Sequence, residues 1–250
     1  MTGSRYETAR KRMWGIMKFI VADEVFEKMP FVCFGVVAAR GICNSKTYQR
    51  IDDLLDKEIE NAYQRYNNKS IKEEPKILAY RRAFEAVGIN PNKYQCSIEA
   101  LFTRIAKGKG MPHINPVVDL GNAVSLKYVL PIGAHEVSGS TDDITVRFSN
   151  ANDTFIPFGS TEYDNPTDAE LIYTTGQVIR TRRWIWRQSE IGKITGDSSS
   201  IFFPIDGFTD FNENEVHEAR DELCSLLKEI FNCEITASGF VSAANTEMDL

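Results

Sequence analysis

The stretch Ile-Asn-Pro-Val-Val-Asp-Leu-Gly-Asn, residues Ile114–Asn122, marks the point where the chain changes from helical to strand-like patterning. Asn115, Asp119 and Asn122 stand at i, i+4 and i+7, a spacing that places them on one face of a helix. We predict a mainly apolar, buried helix over residues 115–126. Its polar face fits two interpretations: a helix cap with side chains that hydrogen-bond loops, or the wall of a pocket that binds an amino group or a ribose.

The residues before this helix show two strand-like runs and three amphipathic helices. The strands are the apolar, β-branched runs Phe19–Ala22 and Phe31–Ala39, and we expect the second to be deeply buried. The helices are indicated by apolar residues at helical spacing and by residues that favour helix ends. They are predicted at Ser45–Tyr66 with Ser45 as the N-cap, at Pro75–Val87 followed by Gly88, and at Ser97–Lys107.

After the central helix the pattern changes to short strands separated by turn residues. The strands are predicted at Thr145–Phe148, Leu171–Thr174, Val178–Arg183 and Ile201–Ile205, and they are followed by the helix Glu215–Phe231 and the strand Glu234–Ala237. Strands and helices do not alternate strictly, as they would in a doubly wound parallel sheet. We therefore predict the α+β class.

The chain shows no clear internal linker, so we expect one domain over residues 17–240. Residues 1–16 are polar and basic, and we interpret them as a disordered extension or a cloning scar. Residues 241–250 are expected to form a flexible tail, as chain termini often do.

Charge and cysteine content exclude several classes of protein. The chain has 250 residues and a formal net charge of −6. This charge argues against a protein that binds DNA or RNA through an overall positive charge, although a local basic patch could still contact RNA. Its five cysteines are irregularly spaced and form no Cys-x-x-Cys pair, so a reduced, cytoplasmic protein fits best. No apolar run approaches the roughly 18 residues of a membrane span. We expect no metal, no cofactor and no membrane contact.

The common catalytic motifs are absent. The chain contains neither the dinucleotide-binding Gly-x-Gly-x-x-Gly nor a P-loop, and neither His-x-x-x-His nor Gly-x-Ser-x-Gly. Only three histidines occur, His113, His135 and His217, and the last lies in an acidic helix where a solvated ring is the simpler interpretation.

The segment Pro131–Glu136 joins a flexible glycine to a histidine. Gly133 permits close backbone approach, and His135 follows in a predicted loop with an imidazole that can titrate near neutral pH. A structural histidine and a catalytic histidine both fit this pattern.

The segment Arg182–Ser189 interleaves arginine with tryptophan. Alternation would place Trp184 and Trp186 on one face of a strand, and Arg183 and Arg187 on the other. Aromatic planes beside guanidinium groups suit stacking on a base and contact with a phosphate. The alternative is a strand whose tryptophans fill the core and whose arginines pair with acidic residues.

Together the three stretches resemble the B3/B4 editing domain of the phenylalanyl-tRNA synthetase β subunit, and in particular its free-standing bacterial relatives. The family pattern Ile-Asn-(Asn/Pro)-Val-Val-Asp-(Val/Leu)-x-Asn matches Ile114–Asn122, and the resemblance extends over roughly Val32–Ile230. Two hallmark side chains differ. The editing histidine of the family aligns with Gly133, two residues before His135, and its editing glutamate aligns with Pro204.

The resemblance implies a layered B3/B4-like fold with a mixed β-sheet core flanked by helices. It also implies binding of the aminoacylated 3′ end of tRNA and hydrolysis of a wrongly attached amino acid. Because the editing histidine of the family is missing from its place, we hypothesise that His135 is the catalytic residue and orients water or substrate. The expected residues that bind tRNA or the amino-acid moiety are Asn115, Asp119, Asn122, Gly133, Arg183, Trp184, Trp186, Arg187, Gln188 and Ser189. Two alternatives stay open: a non-catalytic module that binds tRNA or a small molecule, and an unrelated small-molecule enzyme on the same fold.

Overall fold

Two β-sheets with helices packed around them form the fold, in a computed structural model that describes residues 17–67, 69–140, 142–167 and 169–250. The predicted extension, residues 1–16, lies outside the described residues. The ten strands are β1 (Lys18–Val21), β2 (Val32–Arg40), β3 (His135–Glu136), β4 (Ile144–Phe148), β5 (Leu171–Thr175), β6 (Val178–Arg182), β7 (Arg187–Gln188), β8 (Ser200–Phe208), β9 (Glu234–Val241) and β10 (Glu247–Asp249).

The first sheet is antiparallel and has the strand order β3-β8-β2-β9. β2 lies inside it and is buried along its whole length except at Arg40. A strand covered on both faces favours a continuous run of apolar residues rather than an alternating one. The predicted burial of this run is therefore confirmed.

The second sheet has the order β10-β1-β4-β5-β6-β7. It is mixed, because β1 and β4 run parallel while the other neighbouring pairs are antiparallel. β10 comes from the predicted flexible tail. In the structure Glu247–Asp249 instead pairs with Lys18–Ile20 at the sheet edge. Backbone hydrogen bonds between the strands hold this segment, and the composition of the tail gives no sign of them.

Six α-helices occur among the described residues, and they pack on the two sheets. They are α1 (Asp23–Lys28), α2 (Gln49–Tyr66), α3 (Pro75–Ala86), α4 (Ser97–Ala106), α5 (Pro116–Tyr128) and α6 (Glu213–Phe231). α2 packs against α5, and α6 covers β2, β8 and β9. This arrangement of helices and mixed strands confirms the predicted α+β class.

A close approach of α6 to the first sheet depends on two glycines. A Cβ atom added at Gly35 would lie 2.9 Å from Cγ1 of Val216, and one added at Gly207 would lie 2.3 Å from its Cγ2. Both distances are shorter than carbon atoms tolerate. The two glycines therefore make room for Val216, a fully buried residue of α6.

Several predicted boundaries differ from those of the structure, and two of them involve residues singled out in the sequence. Ser45 does not cap a helix, because α2 begins only at Gln49 and Tyr48 is its N-cap. The strand predicted over Val178–Arg183 ends at Arg182, because Arg183 and Trp184 both adopt positive φ angles, 50° and 58°. A left-handed backbone cannot continue a β-strand.

Candidate functional site

A small pocket of about 140 Å³ lies between the two sheets, beside the N-terminus of α4. It brings together two of the three stretches singled out in the sequence, the segment around His135 and the segment around Trp184. Its lining residues are Ser97, Pro131, Ile132, Gly133, Ala134, His135, Tyr173, Thr181, Trp184, Ile185, Trp186, Gln188, Pro204 and Asp206. Gly133, His135, Trp184, Trp186 and Gln188 were expected there.

The tryptophan segment is a turn, so the predicted strand alternation of its side chains is wrong. The backbone N–H of Trp184 donates to the carbonyl oxygen of Leu171 at 2.6 Å, and Arg183 donates to a carboxylate oxygen of Glu170 at 2.5 Å. These contacts hold the left-handed turn. Trp184 is consequently completely buried, while the half-buried Trp186 packs edge-to-face against Tyr94 at 4.7 Å.

Asp206 is a carboxylate buried in the floor of the pocket. Its Oδ1 accepts hydrogen bonds from the hydroxyl of Tyr173 and from the indole N–H of Trp184, each at 2.6 Å. Within the described part of the chain, both side-chain hydrogen bonds to this carboxyl go to Oδ1. Burial raises the pKa of Asp206 to about 7, although the two donors act in the opposite direction.

His135 is 3% exposed and packs against two aromatic rings. Its imidazole stacks on Tyr173 at 5.9 Å and on Phe202 at 6.2 Å, both with interplanar angles of 25°. Burial, aided by the positive charge of Arg180, lowers the pKa of His135 to about 3, so the ring is neutral near pH 7. Its Nδ1 is buried and has no hydrogen-bond partner among the described residues.

Gly133 and Pro204, which align with the hallmark editing residues of the family, are in direct contact. The backbone N–H of Gly133 donates to the carbonyl oxygen of Pro204 at 3.0 Å. A Cβ atom added at Gly133 would lie 3.1 Å from Cγ of Pro204 and 3.2 Å from Nε2 of His135. The imidazole of His135 therefore reaches the space that a side chain at position 133 would enter.

The polar face of α5 does not reach this pocket. Asn115 is the N-cap of α5, and its Oδ1 accepts from the backbone N–H of Val118 at 3.1 Å. Asp119 accepts from the backbone N–H of Ile114 at 2.9 Å. Both residues line a separate groove of about 440 Å³, and Asn122 is half-buried on the same helix. The capping interpretation of the pattern accounts for Asn115.

Three further expected residues surround the pocket without lining it. The guanidinium of Arg183 lies 4.0 Å from the ring centroid of Tyr94 and 4.8 Å from that of Trp186. Arg187 is exposed, and its guanidinium lies 5.8 Å from the Trp186 ring. Ser189 is fully buried and its hydroxyl donates to the carbonyl oxygen of Ile156 at 3.0 Å, which is a structural contact.

Four polar residues of the pocket were not expected from the sequence, namely Ser97, Tyr173, Thr181 and Asp206, and the hydrogen-bonded pair Asp206 and Tyr173 is the most informative of them. One signal for Asp206 was present, because it is the only charged residue in the apolar strand Ser200–Phe208. A charged residue in a fully buried strand requires hydrogen-bond partners. Nothing in the sequence identifies Tyr173 as one of those partners, since it lies on the other sheet.

Comparison with known proteins places the chain in a family. A family model described as the B3/4 domain matches residues 79–232, which is more than half of the chain, and the chain therefore belongs to the B3/4 domain family. This membership confirms the resemblance to the B3/B4 domain, while the assignment to the free-standing bacterial branch stays a prediction. No curated protein matches the sequence.

Among the solved structures that match the chain, one comes from a phenylalanyl-tRNA synthetase. It is the crystal structure of an N-terminal fragment of the phenylalanyl-tRNA synthetase β subunit from Pyrococcus horikoshii, with 11% sequence identity and a TM-score of 0.48. The match covers 89% of this chain and 52% of that fragment, so the chain spans about half of the fragment's length. Among the helices of the described residues, none is both long and apolar enough to span a membrane.

Proposed function

We propose that this chain binds the aminoacylated 3′ end of a tRNA and hydrolyses the ester bond of a wrongly attached amino acid, in the cytoplasm. The observation that supports it is the pocket in which His135, Trp186, Gln188 and Asp206 meet, in a member of the B3/4 domain family. Buried titratable groups with shifted pKa values in a pocket are typical of functional sites.

The size of the pocket suggests which part of the substrate enters it. Its volume of about 140 Å³ is below the range of roughly 300–1,000 Å³ that is usual for sites that enclose a whole small molecule. We therefore place only the amino-acid moiety inside. The terminal nucleotide stays at the rim, where the ring of Trp186 can stack on the base and Arg187 and Gln188 can contact its sugar and phosphate.

Ester hydrolysis requires a group that takes a proton from water and one that positions the water. Asp206 suits the first role because its pKa of about 7 lies near the working pH, where proton transfer in both directions is efficient. His135 suits the second role. With a pKa of about 3 it is a weak base, but its neutral ring can hold water or substrate by a hydrogen bond.

A non-catalytic binding module is the second candidate. The observation in its favour is that Gly133 and Pro204 occupy the positions that align with the editing histidine and glutamate of the family. In that case the pocket retains recognition of the amino-acid moiety and the tRNA end, while the ester bond stays intact.

Deacylation of a panel of correctly and incorrectly charged tRNAs by the purified protein tests the proposal. We expect selective hydrolysis of one mischarged species, with the rate reduced about 100-fold or more in Asp206→Asn and about tenfold in His135→Ala. His217→Ala is the matched control, because this ring lies half-exposed on α6, and its rate should equal that of the wild type. Binding of charged tRNA without any hydrolysis would instead establish the second candidate.

A further inference from the structure

A histidine surrounded by carboxylates lies in the groove between α2 and the N-terminus of α5, away from the pocket of His135. Nδ1 of His113 is 3.5 Å from Oδ1 of Asp52 and 3.5 Å from Oδ2 of Asp119. The three ligand atoms all lie within 4.8 Å of one another. They come from α2, from the loop before α5 and from the first turn of α5, so the cluster joins three parts of the chain.

We propose that Asp52, His113 and Asp119 form a binding site for a divalent transition-metal ion, with Zn²⁺ as the best-fitting ion. Metal–ligand bonds of about 2.1 Å at the tetrahedral angle separate neighbouring ligand atoms by about 3.4 Å. The two distances of 3.5 Å from Nδ1 of His113 match that separation. One imidazole nitrogen and two carboxylate oxygens are a donor set that Zn²⁺ accepts.

Groups outside the three ligands hold them in place, as the outer contacts of metal sites usually do. Nε2 of His113 lies 3.2 Å from Oδ1 of Asp56, so that carboxylate can fix the ring and leave Nδ1 directed at the ion. The backbone N–H of Ile114 donates to both oxygens of Asp119, at 2.9 and 3.2 Å. Asp119 is only 2% exposed, which restricts its rotation further.

The charge of the groove favours a cation. Three carboxylates, those of Asp52, Asp56 and Asp119, face one imidazole, and Lys46 is the only other charged residue that lines the groove in the described part of the chain. Three protein ligands leave at least one coordination position open towards the groove of about 440 Å³, where water or a small anionic ligand can bind. The imidazole ligand selects transition metals over Mg²⁺ and Ca²⁺, which prefer oxygen ligands alone.

No metal site was expected from the sequence, because the three ligands are far apart along the chain. Asp52 is 61 positions before His113, and Asp119 follows six positions after it. No short sequence motif can therefore contain both the contact of His113 with Asp52 and its contact with Asp119. Only the packing of α2 against α5 brings the three residues together.

Titration of the metal-free protein with Zn²⁺ by calorimetry, and with Co²⁺ by visible absorption, tests the site without any tRNA. The result therefore does not depend on the proposed editing function. We expect one equivalent of Zn²⁺, and visible bands of bound Co²⁺ that Zn²⁺ abolishes. Mg²⁺ at the same concentration should not compete. Because proton release accompanies metal binding, the titrations are run at one fixed pH.

The variants His113→Gln and Asp52→Asn should each weaken Zn²⁺ binding at least 100-fold, and Asp56→Asn about tenfold through its contact with the ring. Asp53→Asn is the matched control on α2, because this exposed carboxylate accepts a hydrogen bond from Gln49 and is not among the residues that line the groove. Thermal melts confirm that each variant is folded. An absence of stoichiometric binding, or equal affinity in His113→Gln and wild type, would leave the cluster a network of ion pairs and overturn the proposal.

Discussion

The indole N–H of Trp184 donates a hydrogen bond of 2.6 Å to Oδ1 of Asp206, and both side chains are almost completely buried. This contact joins the left-handed turn after β6 to β8, and therefore joins the two sheets across the candidate pocket. A tryptophan with a positive φ angle is strained, at a cost of about 1–3 kcal/mol. The buried hydrogen bond and the aromatic packing around Trp184 offset that strain.

Removing the indole N–H while keeping an aromatic ring should destabilise the fold. In Trp184→Phe, Asp206 loses a donor in a buried site, which typically costs about 1–3 kcal/mol, and the smaller ring leaves a cavity that adds to the loss. Urea denaturation measures the change in the free energy of unfolding. Trp186→Phe is the matched control, and we expect its effect to be clearly smaller because Trp186 is half-buried. Equal effects in the two variants would contradict this role of the hydrogen bond.

The pKa of Asp206 predicts a specific dependence of stability on pH. In the folded state it is raised to about 7 from an ordinary value near 3.8, so the folded chain holds this proton more tightly than the unfolded chain. The stabilisation is fully present below about pH 4 and is lost as the pH rises to 7, with a slope of up to about 1.4 kcal/mol per pH unit.

Asp206→Asn keeps an oxygen acceptor for Trp184 and Tyr173 but cannot ionise. We expect the difference in stability between this variant and the wild type to grow steadily, in favour of the variant, from pH 4 to pH 7. Urea unfolding at each pH measures it. The control is Asp210→Asn, an exposed carboxylate in the turn after β8. A difference that stays constant over this range would show that Asp206 is ionised throughout.

His135 should have the opposite influence on stability. Its pKa is lowered to about 3 in the folded state from an ordinary 6.5, so its contribution to stability is present above pH 6.5 and is lost as the pH falls towards 3. NMR of the imidazole nitrogens reports the charge of the ring directly. We expect the His135 resonances, assigned by their loss in His135→Gln, to show a neutral ring from pH 8 down to pH 5. Protonation of this ring near pH 6 would contradict the buried, stacked environment.

Local patterns were sufficient for most of the fold. The apolar run of β2 and the helical spacing of apolar residues in α2 to α6 mark the faces that are buried, and the order of apolar and polar residues shows such faces directly. The turn at Arg183 and Trp184 could not be predicted in the same way. Alternating arginine and tryptophan favours a strand, and only Glu170 and Asp206, distant in sequence, provide the contacts that hold a left-handed turn.

The same distinction applies to the candidate site. His135, Gly133 and Gln188 could be named from local motifs, and the structure brings them to one pocket. The role of Asp206 depends on the hydrogen bonds that it accepts from Tyr173 and Trp184. Tyr173 lies on the other sheet, and Trp184 lies in the turn after β6. Residues that act through long-range partners cannot be identified from one sequence, because the pairing is set by how the two sheets stack.

Gly207 and Gly121 should respond to alanine with opposite signs. A Cβ atom at Gly207 would lie 2.3 Å from Cγ2 of Val216 and 3.0 Å from Oδ1 of Asn212, so Gly207→Ala forces α6 away from the sheet. Overpacking of this kind costs about 1–3 kcal/mol or more.

A Cβ atom at Gly121, inside α5, meets no atom within 4 Å. Gly121→Ala should instead stabilise the protein by about 0.5–1 kcal/mol, because alanine loses less backbone entropy in a helix. Thermal and urea unfolding of the two variants measure the change in the free energy of unfolding and so test both expectations. If Gly207→Ala stabilised the protein, α6 would not pack on β2 and β8 as closely as the position of Val216 next to Gly207 indicates.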